Sequence, residues 1–341
     1  MQSSIHQKFK ETASYYWFLS LHEVGTRYMQ RDLIKQPLRG IVPPVATLLL
    51  DDTRLDTESM EKLLAHLMDG GVQGLFILGT TGECTNLSYA MRRELIQLTC
   101  REANQRLPVL VGVTDTSFQE SLRLAVVARD AGADAVVAAP PYYFGLGERE
   151  VLAYFKKLAD ELPLPLYLYN MPSHTKTMLS QNTVIELSRH PNILGLKDSS
   201  GNAVYFNAMA HAFREEPDFT LLVGPEEMLA SAVLMGGHGG VSGGANMFPK
   251  LYVDLYEAAA AGNLPEVARL QAMVMEISAE LYNLGSYGSS FLKGLKAGLH
   301  YLGFGNGLLA APLTAFEGER LTEIQEKLPR LAAYHYCFKN R

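Results

Sequence analysis

Short apolar runs alternate with amphipathic segments along most of the chain, beginning near residue 41. The apolar runs are too short for buried helices and carry apolar residues on both faces, which is typical of parallel strands covered by helices. The pattern predicts eight strands, at residues 41–49, 74–79, 109–113, 135–140, 165–170, 193–198, 220–224 and 239–244.

The segments between these strands show the spacing of amphipathic helices. Met60, Leu64 and Leu67, for example, fall on one face of a helix. Two serines are predicted to cap helices: Ser88 directly precedes one, and Ser117 has Glu120 three residues later, the spacing of a reciprocal capping box.

Eight strand-helix units predict closure into a (β/α)8 TIM barrel, because right-handed helical crossovers return the chain to the same sheet edge. An open doubly wound sheet with a dinucleotide site is disfavoured, since no GxGxxG follows the first strand. Helical patterns without strands follow at 249–261, 264–284, 289–301 and 319–334. We therefore predict three regions: an N-terminal extension (1–39), a barrel (40–248) and a C-terminal helical region (249–341). The extension is expected to be partly helical and to pack on the body or on a partner subunit.

Composition narrows the functional classes. The chain of 341 residues has a formal net charge of −6 and no long basic run, which disfavours nucleic acid as a partner. The three cysteines show no CxxC spacing, so a reducing cytoplasm is expected. No apolar run approaches the roughly 20 residues that cross a bilayer, so we expect no membrane association.

Candidate chemistry collects where the predicted strands end, as expected for an active site of a (β/α)8 barrel. Lys197 is the only lysine or arginine within the eight predicted strands. A buried amine has a lowered pKa, and its neutral form attacks ketones to give an imine that stabilises a neighbouring carbanion. Alternatively, Lys197 reaches solvent or pairs with Asp198 or Glu83.

Other strand ends allow both chemical and structural interpretations. Tyr169 could transfer protons or be an ordinary amphipathic residue at the barrel mouth. The run "GTTGE" (79–83) could hold a carboxylate with hydroxyl and N–H groups, or form a simple turn. The glycine-rich run 236–244 permits close approach to a ligand or a phosphate; His238 within it, near the barrel mouth, is interpreted as a turn residue.

Metal chemistry has little support from the sequence. The nine histidines include no HxH or HExxH pair, and only His174 and His238 are predicted near the barrel mouth. A GxSxG nucleophile elbow is also missing. Metal-free amine catalysis remains the coherent alternative.

Four motifs occur in order at these strand ends: "GTTGE" (79–83), "YNMP" (169–172), "GLKDSSG" (195–201) and "GGHGGVSGGANMFP" (236–249). Together they resemble the dihydrodipicolinate synthase and N-acetylneuraminate lyase family over roughly residues 40–305. The resemblance implies a (β/α)8 barrel with a helical C-terminal region, usually a homotetramer. It also implies a pyruvate or pyruvyl substrate and no metal or organic cofactor, the reaction proceeding through a covalent imine.

The resemblance assigns a role to each matching residue. Lys197 forms the Schiff base and Tyr169 transfers the proton. Thr80 links that tyrosine to a proton relay, and Tyr143 is the second tyrosine, which reaches the neighbouring subunit's site. Thr81 is similar to the residue that binds the pyruvyl carboxylate.

Val241 matches the position whose backbone lies against the same carboxylate, and Glu83 is interpreted as a buttress of its loop. The sequence also departs from the family pattern. In "YNMPSHTKTML", His174 stands where the synthases carry the arginine that holds the second substrate's carboxylate, and Lys176 replaces a glycine. His174 is thereby predicted in the aldehyde pocket. Glu226 and Glu227 either bind a polyol tail or simply begin a helix.

These observations predict a class I aldolase or lyase that joins or cleaves pyruvate and an aldehyde, on a 2-keto-3-deoxy sugar acid or a 4-hydroxy-2-oxo acid. The alternatives are 4-hydroxy-tetrahydrodipicolinate synthase, acting on pyruvate and aspartate semialdehyde, and a keto-sugar-acid dehydratase. A barrel that binds a keto acid as a sensor without turnover is the non-enzymatic alternative.

Overall fold

The computed structural model describes residues 37–339 apart from 217 and 286, with side chains up to residue 334. Most of the predicted extension (1–39) therefore lies outside the described residues.

Eight parallel strands form the predicted barrel. From the second strand onward each pairs with its successor along the chain, and the last pairs with the first, Gly40 lying opposite Gly239. A parallel bridge between Pro44, three residues after the first strand, and Phe76 of the second strand closes the ring. The strands are β1 (Gly40–Ile41), β2 (Leu75–Ile77), β3 (Val109–Gly112), β4 (Ala135–Ala138), β5 (Leu166–Asn170), β6 (Ile193–Asp198), β7 (Thr220–Val223) and β8 (Gly239–Gly240).

Eight helices follow these strands in turn: α1 (Thr57–Asp69), α2 (Tyr89–Ala103), α3 (Phe118–Ala131), α4 (Glu148–Glu161), α5 (Gln181–Ser188), α6 (Ala203–Ala212), α7 (Leu229–Leu234) and α8 (Pro249–Ala260). The C-terminal region continues with α9 (Leu264–Ile277), α10 (Ser290–Tyr301) and α11 (Gly318–Lys339). A π-helical turn, Ser278–Tyr282, extends α9. The fold class is confirmed; α8 contacts β1, and the predicted boundary at residue 248 stays a prediction.

Among the described helices, none is long and apolar enough to cross a membrane.

The predicted strand at 41–49 is mostly wrong. Only Ile41 of that range belongs to β1, while Leu49 enters a separate antiparallel hairpin, Leu49–Asp51 with Arg54–Leu55. Pro43 and Pro44 lack backbone N–H groups and so cannot donate to a strand ladder, although the Pro43 carbonyl accepts from the Phe76 N–H at 3.0 Å. The next donor, the Val45 N–H, bonds to the Phe76 carbonyl at 2.8 Å, and the Ala46 N–H bonds to Asn246 Oδ1 at 2.9 Å.

The two predicted caps form, but the capping box is wrong in one half. Ser88 Oγ accepts a hydrogen bond from the Met91 N–H, and Ser117 Oγ accepts one from the Glu120 N–H. The reciprocal bond from Glu120 is replaced, because the Ser117 N–H donates to Asp115 at 2.9 Å.

Side chains alternate along the strands between two buried clusters. One lies between the sheet and the helices, and the other fills the barrel, with Phe76, Leu110, Tyr167, Tyr169 and Leu222 among its members. Residues in register with Tyr169 across neighbouring strands therefore also point into the barrel.

Candidate active site

Lys197 lies in register between Tyr169 of β5 and Leu222 of β7, so its side chain enters the barrel. Its residue is 6% exposed, and Nζ lies 3.6 Å from the centroid of the Tyr169 ring. Nζ donates a 2.8 Å hydrogen bond to Ser199 Oγ. Burial lowers the pKa of this amine, against opposing effects of Tyr169 and Asp198. The neutral form of this amine is therefore easier to reach than that of an exposed lysine, and the solvent-exposed alternative is wrong.

The two acidic partners considered for Lys197 are engaged elsewhere. Asp198 faces the opposite side of β6, where it accepts hydrogen bonds from Asn170 Nδ2 at 2.8 Å and from the Ser200 N–H at 3.2 Å. Asn170 Oδ1 in turn accepts from the Leu179 N–H. This polar group on the outer face fixes β5 against β6, and so holds Tyr169 beside Lys197 on the inner face.

Tyr169 also contacts the loop that follows β2. Its hydroxyl lies 3.0 Å from Thr80 Oγ1, with either atom able to donate. The pairing predicted between these residues is therefore present, and it places a hydroxyl chain one strand away from the amine.

Glu83 buttresses the same loop, as predicted. It is 3% exposed and has a left-handed backbone (φ 54°). Its carboxylate forms a buried ion pair with Lys296 of α10 and accepts from the Ala310 N–H at 2.7 Å. The alternative pairing of Glu83 with Lys197 is therefore wrong.

A cavity of about 190 Å³ opens above these groups. Its lining includes the predicted residues Thr80, Thr81, Tyr169, Lys197 and Val241. Sequence reasoning left out further lining residues, Ser199 after β6 and, from the C-terminal region, Tyr282 and Phe291. Glu226 and Glu227 also line the cavity. Among the described lining residues, Lys197 is the only basic one.

Glu226 and Glu227 differ in their surroundings. Glu226 is buried, accepts from the Gly244 N–H at 2.8 Å and receives the hydroxyl of Tyr252. Burial raises the pKa of Glu226 to about 7. Glu227 accepts a 2.5 Å hydrogen bond from Ser278 Oγ. Glu226 thus supports the turn after β8 as well as lining the cavity.

Three predicted positions lie apart from this cluster. Tyr143 is 78% exposed and contacts Phe144 edge-on, with ring centroids 5.1 Å apart, outside the cavity lining. His174 is exposed in a single helical turn, Pro172–Thr175, where Nδ1 lies 3.0 Å from Ser173 Oγ. The pKa of His174 is lowered, mainly because neighbouring protein atoms partly desolvate the ring and to a smaller extent because of the positive charge of Lys197.

The predicted placement of His238 near the barrel mouth is wrong. It precedes β8, at the N-terminal end of the strands, because its carbonyl accepts from the Gly40 N–H. Its ring Nδ1 accepts from the Leu221 N–H at 2.9 Å, so the side chain completes the sheet rather than the site. The interpretation as a structural residue agrees with this contact.

Lys296 was missed, although the sequence carries a signal for it. It falls within the helical pattern 289–301, on the same face as Leu292, Leu295 and Leu299. A lysine on an apolar helix face indicates a buried ionic partner, but its identity could not be predicted across more than 200 residues.

Among the residues that the structure describes, no group of three or more His, Cys, Asp or Glu side chains could hold a metal ion.

Comparison with known proteins gives consistent matches. A model of the dihydrodipicolinate synthetase family matches residues 37–331. In Escherichia coli K12, the putative 2-dehydro-3-deoxy-D-gluconate aldolase YagE is 33% identical over 72% of this chain and 82% of its own. The probable 2-dehydro-3-deoxy-D-pentonate aldolase YjhH from the same strain is 34% identical over 70% and 80%. The structure of dihydrodipicolinate synthase from Bacteroides thetaiotaomicron is 52% identical, with a TM-score of 0.84, over 87% of this chain and 99% of that one.

Proposed function

Because the chain belongs to the dihydrodipicolinate synthetase family and is a Schiff-base-forming carbon–carbon lyase, we propose that it cleaves or forms a 2-keto-3-deoxy sugar acid or a 4-hydroxy-2-oxo acid. The observation that carries this proposal is the charge of the cavity. Beyond the reactive amine, its described lining offers carboxyl groups (Glu226, Glu227) and hydroxyls such as that of Tyr282, but no second cation. Such a lining suits the hydroxyl groups of a sugar-derived aldehyde better than a second carboxylate.

The buried amine of Lys197 begins the proposed cleavage by attacking the C2 ketone, and loss of water gives an imine, which is protonated. Tyr169 accepts the proton of the C4 hydroxyl while the electrons of the C3–C4 bond move into the iminium. The aldehyde leaves, and an enamine of pyruvate remains on the lysine. Protonation of the enamine at C3 and hydrolysis of the imine release pyruvate and restore the amine.

Around these steps, Thr80 and Thr81 have supporting roles. The Thr80 hydroxyl, 3.0 Å from Tyr169, passes the phenolic proton onward. Thr81 and the backbone of Val241, both in the cavity lining, hold the pyruvyl carboxylate. No metal or organic cofactor takes part in this scheme, because the lysine imine itself accepts the electrons.

Tyr143 has a role in this proposal only in an assembly. Its exposed ring completes the proton relay of a second copy, within a homotetramer in the cytoplasm. The exposed aromatic pair of Tyr143 and Phe144 supports an apolar contact at this place. His174 contacts the aldehyde from the rim of the cavity.

Synthase activity is the second candidate, favoured by the 52% identity to the Bacteroides thetaiotaomicron protein. It would require aspartate semialdehyde to bind with its carboxylate at the aldehyde end of the cavity. In the sequence, His174 occupies the position at which the resemblance expects an arginine, and the carboxyl groups of Glu226 and Glu227 in the cavity lining oppose a second anion.

Borohydride reduction in the presence of pyruvate tests the chemistry. We expect a pyruvate adduct by intact mass in the wild type and none in Lys197→Ala. A persistent adduct in the variant would overturn the role of Lys197, and pyruvate binding without any adduct would favour the sensor.

A panel of aldehydes with pyruvate tests the substrate. Hydroxylated aldehydes should turn over faster than aspartate semialdehyde, and the reverse order would establish the synthase. His174→Arg should move the preference towards aldehydes that carry a carboxylate; an unchanged preference would place His174 outside the aldehyde pocket.

A further inference from the structure

A buried ion pair joins the loop after β2 to the C-terminal helical region. The side chains of Glu83 and Lys296 are 0% and 1% exposed. Each also bonds to the segment that follows α10: Lys296 Nζ donates to the Leu308 carbonyl at 2.6 Å, and Glu83 accepts from the Ala310 N–H at 2.7 Å. Three separate segments of the chain therefore meet at one pair of opposite charges.

Burying an ion pair in a protein core carries a large desolvation cost. Removing two charges from water costs free energy that their attraction repays only when the geometry is good, and apolar side chains of the same volume stabilise as well. Burial accordingly lowers the pKa of Lys296, with the Glu83 charge opposing that effect. What a charged pair adds over an apolar one is direction, since each charge accepts only a few well-placed partners.

The loop that this pair fixes is the one that carries Thr80 and Thr81. The Glu83 N–H donates to the Thr80 carbonyl at 3.0 Å, closing a turn around Thr81. The Gly82 carbonyl accepts from Thr47 Oγ1 at 2.8 Å. The turn is thus held at the Glu83 N–H and at the Gly82 carbonyl, so the position of Glu83 fixes that of Thr80 and Thr81.

The other half of the pair belongs to a helix that also reaches the cavity. Phe291, near the start of α10, lines the cavity, and Lys296 lies further along the same helix. The pair therefore connects two opposite parts of the lining, the threonine loop and the C-terminal region.

We propose that Glu83 and Lys296 are a positioning pair, which holds the threonine loop at the distance at which Thr81 binds the carboxylate of a keto acid. Neither residue lines the cavity, so both act through the loop. The inference rests on the proposed function, because it needs the pyruvyl carboxylate at Thr81.

The test replaces both charges at once, so that no single charge is left buried. In Glu83→Gln/Lys296→Met, the glutamine still accepts from the Ala310 N–H and the methionine fills the space of the lysine stem. The measurement is borohydride trapping of pyruvate as a function of its concentration, together with the melting temperature.

We expect the pyruvate concentration for half-maximal trapping to rise about tenfold, because the displaced Thr81 would lose one hydrogen bond to the charged carboxylate of pyruvate. The trapping rate at saturating pyruvate should change by less than about threefold, because Lys197 and Tyr169 stand on strands that the pair does not touch. A purely structural role would lower the melting temperature and leave half-saturation unchanged.

A second buried ion pair provides the matched control. Arg92 and Asp115 are 9% and 8% exposed, join at 3.3 Å and lie outside the cavity lining. Arg92→Met/Asp115→Asn should reduce the melting temperature while half-saturation by pyruvate stays within twofold of wild type.

Half-saturation within twofold of wild type in the Glu83→Gln/Lys296→Met variant would overturn the positioning role, as would an equal rise in the control. Absence of a wild-type adduct is a different result, since it would overturn the proposed function and remove the pair's role with it.

Discussion

Glu226→Gln is expected to change how stability depends on pH. Glu226 is enclosed between the turn after β7 and the turn after β8. Burial is the largest effect on its pKa and raises it to about 7; the Gly244 N–H and the hydroxyls of Tyr252 and Tyr282 favour the charged form, and the Glu227 charge opposes it. The folded protein therefore binds this proton more tightly than the unfolded chain does.

The sign and size follow from linkage. The contribution of protonated Glu226 is fully present below the ordinary pKa of 4.5 and is lost as pH rises through about 7. Each unit of pKa corresponds to about 1.4 kcal/mol, so the wild type loses about 3 kcal/mol across this range. Glutamine stays neutral throughout, and its amide can accept from the Gly244 N–H and donate to Tyr252.

Urea unfolding at pH 5 and pH 8, at one protein concentration, measures the effect. The free energy of unfolding of Glu226→Gln minus that of wild type should be about 2–3 kcal/mol larger at pH 8 than at pH 5, that is, the variant gains stability relative to wild type as pH rises. Tyr252→Phe removes a donor that favours the carboxylate, so its loss of stability with rising pH should exceed that of wild type. An equal difference between Glu226→Gln and wild type at both pH values would refute the reasoning.

Three further predictions concern the reactive cluster. In Gly224→Ala the new methyl would lie 1.9 Å from Ser199 Oγ; the displaced hydroxyl no longer orients the amine, and the rate of borohydride trapping should fall about tenfold. Thr80→Val breaks the 3.0 Å contact with Tyr169, so kcat should fall about 100-fold while pyruvate trapping stays within a few-fold. Tyr143 is exposed in a single chain, so Tyr143→Ala should lower kcat without changing the melting temperature of a dissociated subunit. An unchanged kcat would exclude Tyr143 from the proton relay.

Strands buried on both faces are the part of the fold that sequence predicts best. The predicted strand 193–198 coincides with β6, and β5 begins one residue later than predicted. The first and the last predicted strands, with two consecutive prolines and with four glycines, were predicted less well. In the predicted strand 239–244, pairing stops after Gly240, and the chain turns at Gly243–Asn246 to line the cavity.

The neighbouring placement of Lys197 and Tyr169 could be predicted because barrel topology brings all strand ends to one rim. Lys197 and Tyr169 needed no knowledge of side-chain contacts, only their places at the ends of neighbouring strands. The placement of residues on loops was predicted less well. The helical turn Pro172–Thr175 carries His174 outside the cavity lining, and His238 lies at the opposite end of the barrel. Spacing in the sequence does not determine at which end of a short strand a residue of a glycine-rich run lies.

The motifs "YN" and "KD" each encode two functions, because neighbouring residues in a strand face opposite sides. Tyr169 and Lys197 point into the barrel, while Asn170 and Asp198 bond to each other on its outer face at 2.8 Å. The chemistry and the register that aligns it are therefore specified by adjacent residues. The part of the cavity in which we propose that the aldehyde binds is built differently, from Glu226 after β7 and from the remote C-terminal residues Tyr282 and Phe291. Under this proposal we expect substitutions there to change the aldehyde preference without disturbing imine formation, and the motifs therefore indicate the reaction more firmly than the substrate.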